Sequence, residues 1–319
     1  LNYKPDIYIQ VTIPNEAVNL GKWNCLITAG IETTLAPKNW VEGCNKMDLI
    51  ITTSKHSKTV LENSVYDSKV IKPIEVLFEG IDTTVFKKCE SNFDLSYIKE
   101  NNVFLFLGQW LKGDLGQDRK DISMLIKTFC VAFENNPDVA LLLKTSSAGF
   151  SVIERERITK NIEFLTKDFI KPPSIYLLFG EMTENEINGL YNHEKIKSFI
   201  TFTKGEGFGR PMLEFTMTGK PVIASSWSGQ LDFLPSDKTI LLDGTLNDVH
   251  QSVFDDFIIK DSQWYTVDYL KSIDKIRNLV YDYDTYLEKS EKLRLDNTKM
   301  FSLENMKNEF LKIFLKHKK

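Results

Sequence analysis

The stretch "FITFTKGEGFGRPMLEFTMTGKPVIAS", residues 199–225, follows a buried-looking strand with a turn holding three glycines and a glutamate. A second glutamate, Glu214, stands eight residues after Glu206. Pro211 fits the first turn of a helix and Gly219 its end, so the stretch reads as strand, tight turn, short helix and second strand. Gly205, Gly207 and Gly209 would let the main chain approach a ligand closely, with amides at a helix start. A dinucleotide fingerprint GxGxxG needs glycine at 210, where Arg210 stands, which removes the main support for a nicotinamide cofactor. Carboxylates repel a pyrophosphate but accept both hydrogen bonds of a diol, as in ribose recognition. Two of them, one in the turn and one inside the helix, suit a ligand with two hydroxyl-bearing rings joined by a diphosphate.

Outward from this stretch, near-continuous apolar strands alternate with helical periodicity. "DIYIQVTI", "DLIITTS" and "IEVLFEGID" read as strands around the helices "NWVEGCNKM" and "KHSKTVLENSV", the second capped by Ser54. A polar stretch from about Lys87 to Asn102 reads as a linker. The pattern then restarts with "VFLFLG", "VALLLKT", "SIYLLFG", "SFITFT" and "PVIAS" as strands with helices between them. Such runs imply parallel sheets covered on both faces, an α/β doubly wound architecture, with ligands beyond the carboxyl ends of the strands. The expected division is 1–95 for an N-terminal Rossmann-like domain, 96–270 for a second, and 271–319 for charged helices.

The 319 residues carry a net charge of −4, with acids and bases interleaved, which argues against a general nucleic-acid binder. No apolar run reaches the ~18–20 residues of a spanning helix. The four cysteines show no CxxC pair and no histidine cluster, so neither zinc nor a disulfide framework is expected, and a reducing cytoplasm is. The sequence opens on Leu1 and almost at once on a strand, so the N-terminal domain reads as incomplete or abbreviated.

The Glu206-x7-Glu214 element within "GEGFGRPMLEF…GKPVIAS" resembles the signature of retaining GT-B glycosyltransferases, specifically the large family-four group. "DLIITTSKHSKTVL", "FEGIDTTVF", "VFLFLGQW", "DRKDISMLIKTF" and "FGEMTENEINGLYN" resemble family segments in the expected order. The resemblance implies two Rossmann-like domains facing across a cleft. It also implies a nucleotide-sugar donor held mainly by the C-terminal domain, transfer with retention, and no cofactor or required metal. It places Glu206 beside the donor sugar and Glu214 on the ribose, with the amides of Gly207, Phe208 and Gly209 toward sugar and phosphate.

For the diphosphate the resemblance points to Lys120. The family's arginine position holds Gln109, leaving Arg119 or Lys112 as substitutes. Lys144, at a strand end, is a further cationic candidate. Glu181 and Met182 match the base-contacting loop, and Ser228 and Gly229 a loop whose amides approach the phosphates. On the acceptor side Glu32 and His56, at strand ends of the N-terminal portion, are the candidates to face the cleft. The last helix, "SLENMKNEFLKIF", is expected to cross back to the N-terminal domain. The acceptor is a hydroxyl of a glycan, a lipid-linked sugar or a small molecule, and peripheral membrane contact is left open. Two other classes fit the same residues: a nucleotide-sugar binder without transfer, and a glycoside hydrolase using the two glutamates. In the transferase reading, Glu206→Gln is expected to cost catalysis far more than folding.

Overall fold

A computed structural model describes residues 3–147 and 149–318. The N-terminal part holds β1 (Ile7–Val11), β2 (Trp23–Thr28), α1 (Lys38–Asn45), β3 (Leu49–Thr52), α2 (Lys55–Asn63) and β4 (Ile74–Val76). The four strands form one parallel sheet in the order β1-β2-β3-β4. α2 starts where expected, because the Ser54 side chain accepts from the Ser57 amide and fills an orphan donor of the first turn. β2 is a strand the sequence did not announce. "WNCLIT" is short, and its buried Asn24 breaks the apolar run.

The second part follows with β5 (Asn102–Gln109), α3 (Ile122–Phe133), β6 (Val139–Ser146), α4 (Val152–Thr166), β7 (Ser174–Leu178) and α5 (Glu184–Asn192). Next come β8 (Ile196–Ile200), α6 (Arg210–Thr216), β9 (Val222–Ser225) and β10 (Ile240–Leu242). The hairpin β11 (Gly244–Asp248) and β12 (Gln263–Val267) precedes α7 (Tyr269–Tyr281), α8 (Tyr283–Met300) and α9 (Leu303–His317). The six-stranded sheet runs β7-β6-β5-β8-β9-β10, all parallel. This is the doubly wound order in which the winding reverses between β5 and β8, opening a crevice at their carboxyl ends.

Alternate residues of β5 feed two cores. Phe104 and Phe106 pack under α3, α4 and α7, while Val103 and Leu105 pack against α5, α6 and α8. Leu95 and Ile98, in the expected linker, are buried in the second core, so this segment is fastened to the six-stranded sheet rather than loose. α9 lies on the first sheet. Phe310 and Ile313 cover Cys25, Leu49 and Ile51, Phe314 meets Trp23 edge-on at 5.5 Å, and Lys316 and His317 reach Glu75. Burying side chains of this size stabilises by about 1.5–3 kcal/mol each. No described helix is long and apolar enough to cross a membrane.

Candidate functional site

The crevice at the switch point is built by two turns. The first, Asp118–Asp121, leads into α3, and Asp121 adopts a left-handed backbone at φ 52°. The turn buries its two end side chains and presents its two central ones to the crevice. Asp118 and Asp121 are fully buried, whereas Arg119 and Lys120 line a cavity of about 540 Å³. The second turn, Thr203–Gly209, leads from β8 into α6, with Gly209 at φ 98°. The amide of Lys204 donates to the Arg119 carbonyl at 2.8 Å, so the two turns share main-chain pairing.

Side chains complete the join. Lys204, itself buried, donates to Asp121 Oδ2 at 3.0 Å and to Thr266 Oγ1 at 3.1 Å, and Tyr269 donates to the same carboxylate at 2.7 Å. Burial, followed by the neighbouring Asp121 charge, pushes the Asp118 carboxyl up to about 7. One of its oxygens accepts from the Ile122 amide at 3.1 Å, at the start of α3.

Glu206, buried behind Arg119 and Lys120 and not itself among the residues lining that cavity, is their hub. Lys120 Nζ donates to its carboxylate, Arg119 Nη1 lies 3.3 Å away, and Thr203 Oγ1 donates at 2.7 Å. Burial alone would raise this carboxyl, but the Lys120 and Arg119 charges outweigh it and hold it near 2. Lys120 in turn is lowered, chiefly by burial, against the pull of Glu206. Arg119 also donates to the Gly205 carbonyl at 3.0 Å, and its other terminal nitrogen lies 3.9 Å from Glu32. Burial raises the Glu32 carboxyl, with Arg119 opposing. Two cations and two carboxylates thus stand in one group.

The glycines of the turn have a second partner that the sequence did not reveal. A Cβ on Gly205 would stand 1.9 Å from the Glu32 carbonyl oxygen, and one on Gly30 would stand 2.2 Å from the Gly207 Cα. The N-terminal loop 30–34 therefore packs main chain against main chain on the acidic turn. The β11–β12 hairpin, also unforeseen, holds that loop: Thr34 N donates to the Gln263 carbonyl and Gln263 N to Thr34 Oγ1, both at 2.9 Å.

The remaining candidates fall into three groups. Lys144, Glu181 and Met182 line the same cavity as Arg119 and Lys120, along with Gln109. Lys144 donates to the Gly180 carbonyl, and burial lowers its pKa. Glu214 is buried nearby but does not line that cavity; Arg210 Nε donates to it at 2.7 Å, and Arg210 also faces Glu184 at 3.7 Å. The Phe208 side chain stacks into the core with Phe78 and Phe233, leaving only its main chain for a ligand.

Two candidates already have partners within the fold. Lys112 does not substitute for the missing arginine, because its ammonium donates to the Phe254 carbonyl at 2.9 Å and pairs with Asp255. The amide of Gly229 is not free for a phosphate, since it donates to the Glu206 carbonyl at 3.0 Å. Ser228 supports the same residue from the side chain, its Oγ accepting from the Glu206 amide at 2.9 Å and donating to Gln230. Its own backbone sits at φ 77°, a conformation that costs a non-glycine residue about 1–3 kcal/mol. His56 packs edge-on against Trp227 at 4.6 Å, and burial lowers it to about 4, so it is a neutral ring at the domain junction. Among the described residues no group of three or more His, Cys, Asp or Glu is placed to hold a metal ion, and the four cysteines are free.

No family model and no curated protein matches the sequence. Solved structures do. Sucrose-phosphate synthase from Thermosynechococcus elongatus superposes with a TM-score of 0.68 at 15% identity, over 98% of this chain and 73% of that one. Anabaena HepE, solved with UDP and glucose, gives 0.64 at 14% identity, over 92% and 72%. The pneumococcal O-GlcNAc transferase GtfA, solved with UDP and GlcNAc, gives 0.56 at 15%, over 92% and 52%. At such identities the likeness is one of fold: this chain has the α/β architecture of GT-B glycosyltransferases, with parallel sheets in Rossmann-like domains.

Proposed function

We propose that the protein transfers a sugar from a nucleoside-diphosphate sugar to a hydroxyl acceptor, with retention of anomeric configuration. The observation that carries this is the convergence of Arg119 and Lys120 on Glu206 beside a cavity at the switch point of the six-stranded sheet. Such a group offers fixed positive charge to a diphosphate and a carboxylate to sugar hydroxyls. The solved neighbours HepE and GtfA, complexed with UDP and a sugar, support the same ligand class.

In this reading the donor diphosphate takes up Lys120 and Arg119, which Glu206 and Glu32 now neutralise. As the sugar–phosphate bond breaks, negative charge grows on the leaving oxygen, and the two cations already turned to the diphosphate stabilise it. Glu206, released from full engagement with Lys120, faces the sugar and stabilises positive charge on its ring. The departing phosphate accepts the acceptor's proton, and attack from its own face retains configuration. Arg119 and Lys120 supply the charge that a divalent cation would otherwise bring, so turnover proceeds without one. The acceptor enters beside Glu32, from the N-terminal domain, and the reaction belongs to the cytoplasm.

The test is direct. UDP-, GDP- and ADP-sugars are incubated with EDTA and a panel of glycan, lipid-linked and small hydroxyl acceptors, and the anomeric product is read by NMR. Retained configuration and EDTA resistance are expected. An inverted product, or sugar released from an oligosaccharide without any nucleotide donor, would remove this reading.

A further inference from the structure

The cavity beside Arg119 and Lys120 has a lining of two chemical kinds. One kind is cationic, Arg119, Lys120 and Lys144. The other is apolar, formed by Phe150, Met182 and Ile187. A nucleoside diphosphate has the same polarity, a charged diphosphate at one end and a flat base at the other, and ligand sites combine a few polar groups with apolar walls in this way.

Phe150 is the unusual member. It lines the cavity yet keeps 43% of its surface open, so packing within the protein does not account for a phenylalanine there. Its position is nonetheless built. Phe179 meets it edge-on, with ring centroids 5.7 Å apart at 72°. Lys144 Nζ stands 5.4 Å from the ring centroid and is tied to the Gly180 carbonyl. The loop that carries Phe150 is fastened to α4: Glu154 accepts from the Ser147 amide, Arg157 donates to the Ser147 hydroxyl, and Ser151 caps the helix. A half-open aromatic ring on an anchored loop is a surface prepared for something flat.

We infer that Phe150 is the plate on which the nucleotide base stacks, and that Lys144 holds this plate rather than the phosphates. The inference rests on the nucleotide-sugar reading above and adds two residue roles to it. Lys144 already spends one donor on Gly180 and lies against an aromatic face, an arrangement that favours a cation over a ring. Stacking tolerates any base, because every base has a π-face. Phe150 therefore sets how tightly a nucleoside is held, whichever base it carries.

The experiment is calorimetric titration of the full chain with UDP, GDP, ADP and inorganic pyrophosphate. Wild type is compared with Phe150→Ala, Phe150→Trp and Lys144→Met, and thermal melting verifies each fold. Phe150→Ala should weaken the best-bound nucleotide about tenfold or more, as loss of one stacked base does, while leaving pyrophosphate unchanged. Phe150→Trp should bind as wild type does, and Lys144→Met should weaken nucleotide but not pyrophosphate. Equal losses for nucleotide and pyrophosphate, or no loss in Phe150→Ala, would overturn the inference while leaving the donor site standing. Wild type that binds no nucleotide, or binds one no better than pyrophosphate, would overturn it too; in the first case the donor reading falls as well.

Discussion

Lys204 Nζ and Asp121 Oδ2 meet at 3.0 Å with neither side chain open to solvent, and each belongs to a different one of the two turns that build the site. Removing one partner leaves an uncompensated buried charge, which costs about 3–5 kcal/mol. Lys204→Met should lower stability by that order in urea titration, and Asp121→Asn by less, because Tyr269 still has an acceptor there. If Lys204→Met melts like wild type, the pair does not fasten the turns.

Glu206→Gln has a sharper signature than the sequence alone suggested. The carboxylate is the shared counter-ion of Lys120 and Arg119, so the amide leaves two half-buried cations without it. The variant should melt lower than wild type, lose at least about a hundredfold in turnover by the measure of a lost electrostatic catalytic contact, and gain more stability than wild type from added nucleoside diphosphate. A thermal-shift series with UDP, GDP and ADP reads all but the turnover. A smaller nucleotide-induced shift than in wild type would show that the diphosphate does not use these cations.

The close approach of Gly30 to Gly207 makes a test of opposite signs. Gly30→Ala forces a Cβ into the Gly207 main chain, and overpacking of this kind costs about 1–3 kcal/mol. Gly189, inside α5, would meet nothing nearer than 3.7 Å, so Gly189→Ala should stabilise by about 0.5–1 kcal/mol through helix propensity. Chemical denaturation of the two variants side by side should give shifts of opposite direction.

The Asp118 carboxyl supplies a pH signature. Its pKa in the fold, about 7, lies above the ordinary 3.8, so the unfolded chain gives up this proton first. Its contribution is complete below pH 4 and is lost as pH rises toward 7, at about 1.4 kcal/mol per unit at most. Glu32 and Glu214 shift the same way, and His56, lowered to about 4, works in the opposite sense between pH 4 and 6.5. The difference between wild type and Asp118→Asn isolates the one group. The stability advantage of wild type over the variant should shrink steadily from pH 4.5 to 7, and a constant difference would place the Asp118 proton elsewhere.

What the sequence made legible follows from how local each signal is. Glu206, Lys120 and the helix after Pro211 were readable because the residues that specify them are neighbours in the chain. The parallel sheets were readable because "VFLFLG" and "VALLLKT" are buried on both faces. The Gly30–Gly207 contact was not, because two main chains that touch across domains leave no periodicity at either end. Lys204 in a glycine-rich turn reads as a solvated residue, and only Asp121, far away in sequence, makes it a core ion. The β11 strand "GTLND" escaped because its side chains are mostly exposed and polar, with pairing carried by the backbone. Phe150 escaped because its loop has no strand or helix pattern of its own.

The chain passes between its two sheets at Ile81 and returns at Phe301–Leu303, and these two crossings are bonded to each other, Ile81 N to the Phe301 carbonyl at 2.8 Å and Leu303 N to the Ile81 carbonyl at 3.1 Å. Mechanically the two crossings act as one clasp, so neither passage can shift along the other without breaking main-chain bonds. Across the junction glycine main chain meets at Gly30, Gly205 and Gly207, while rings carry the apolar contact, His56 on Trp227, Trp40 on Phe257 and Phe78 on Phe208. Parting the two leaves therefore costs ring contacts as well as the charge pairs gathered around Arg119.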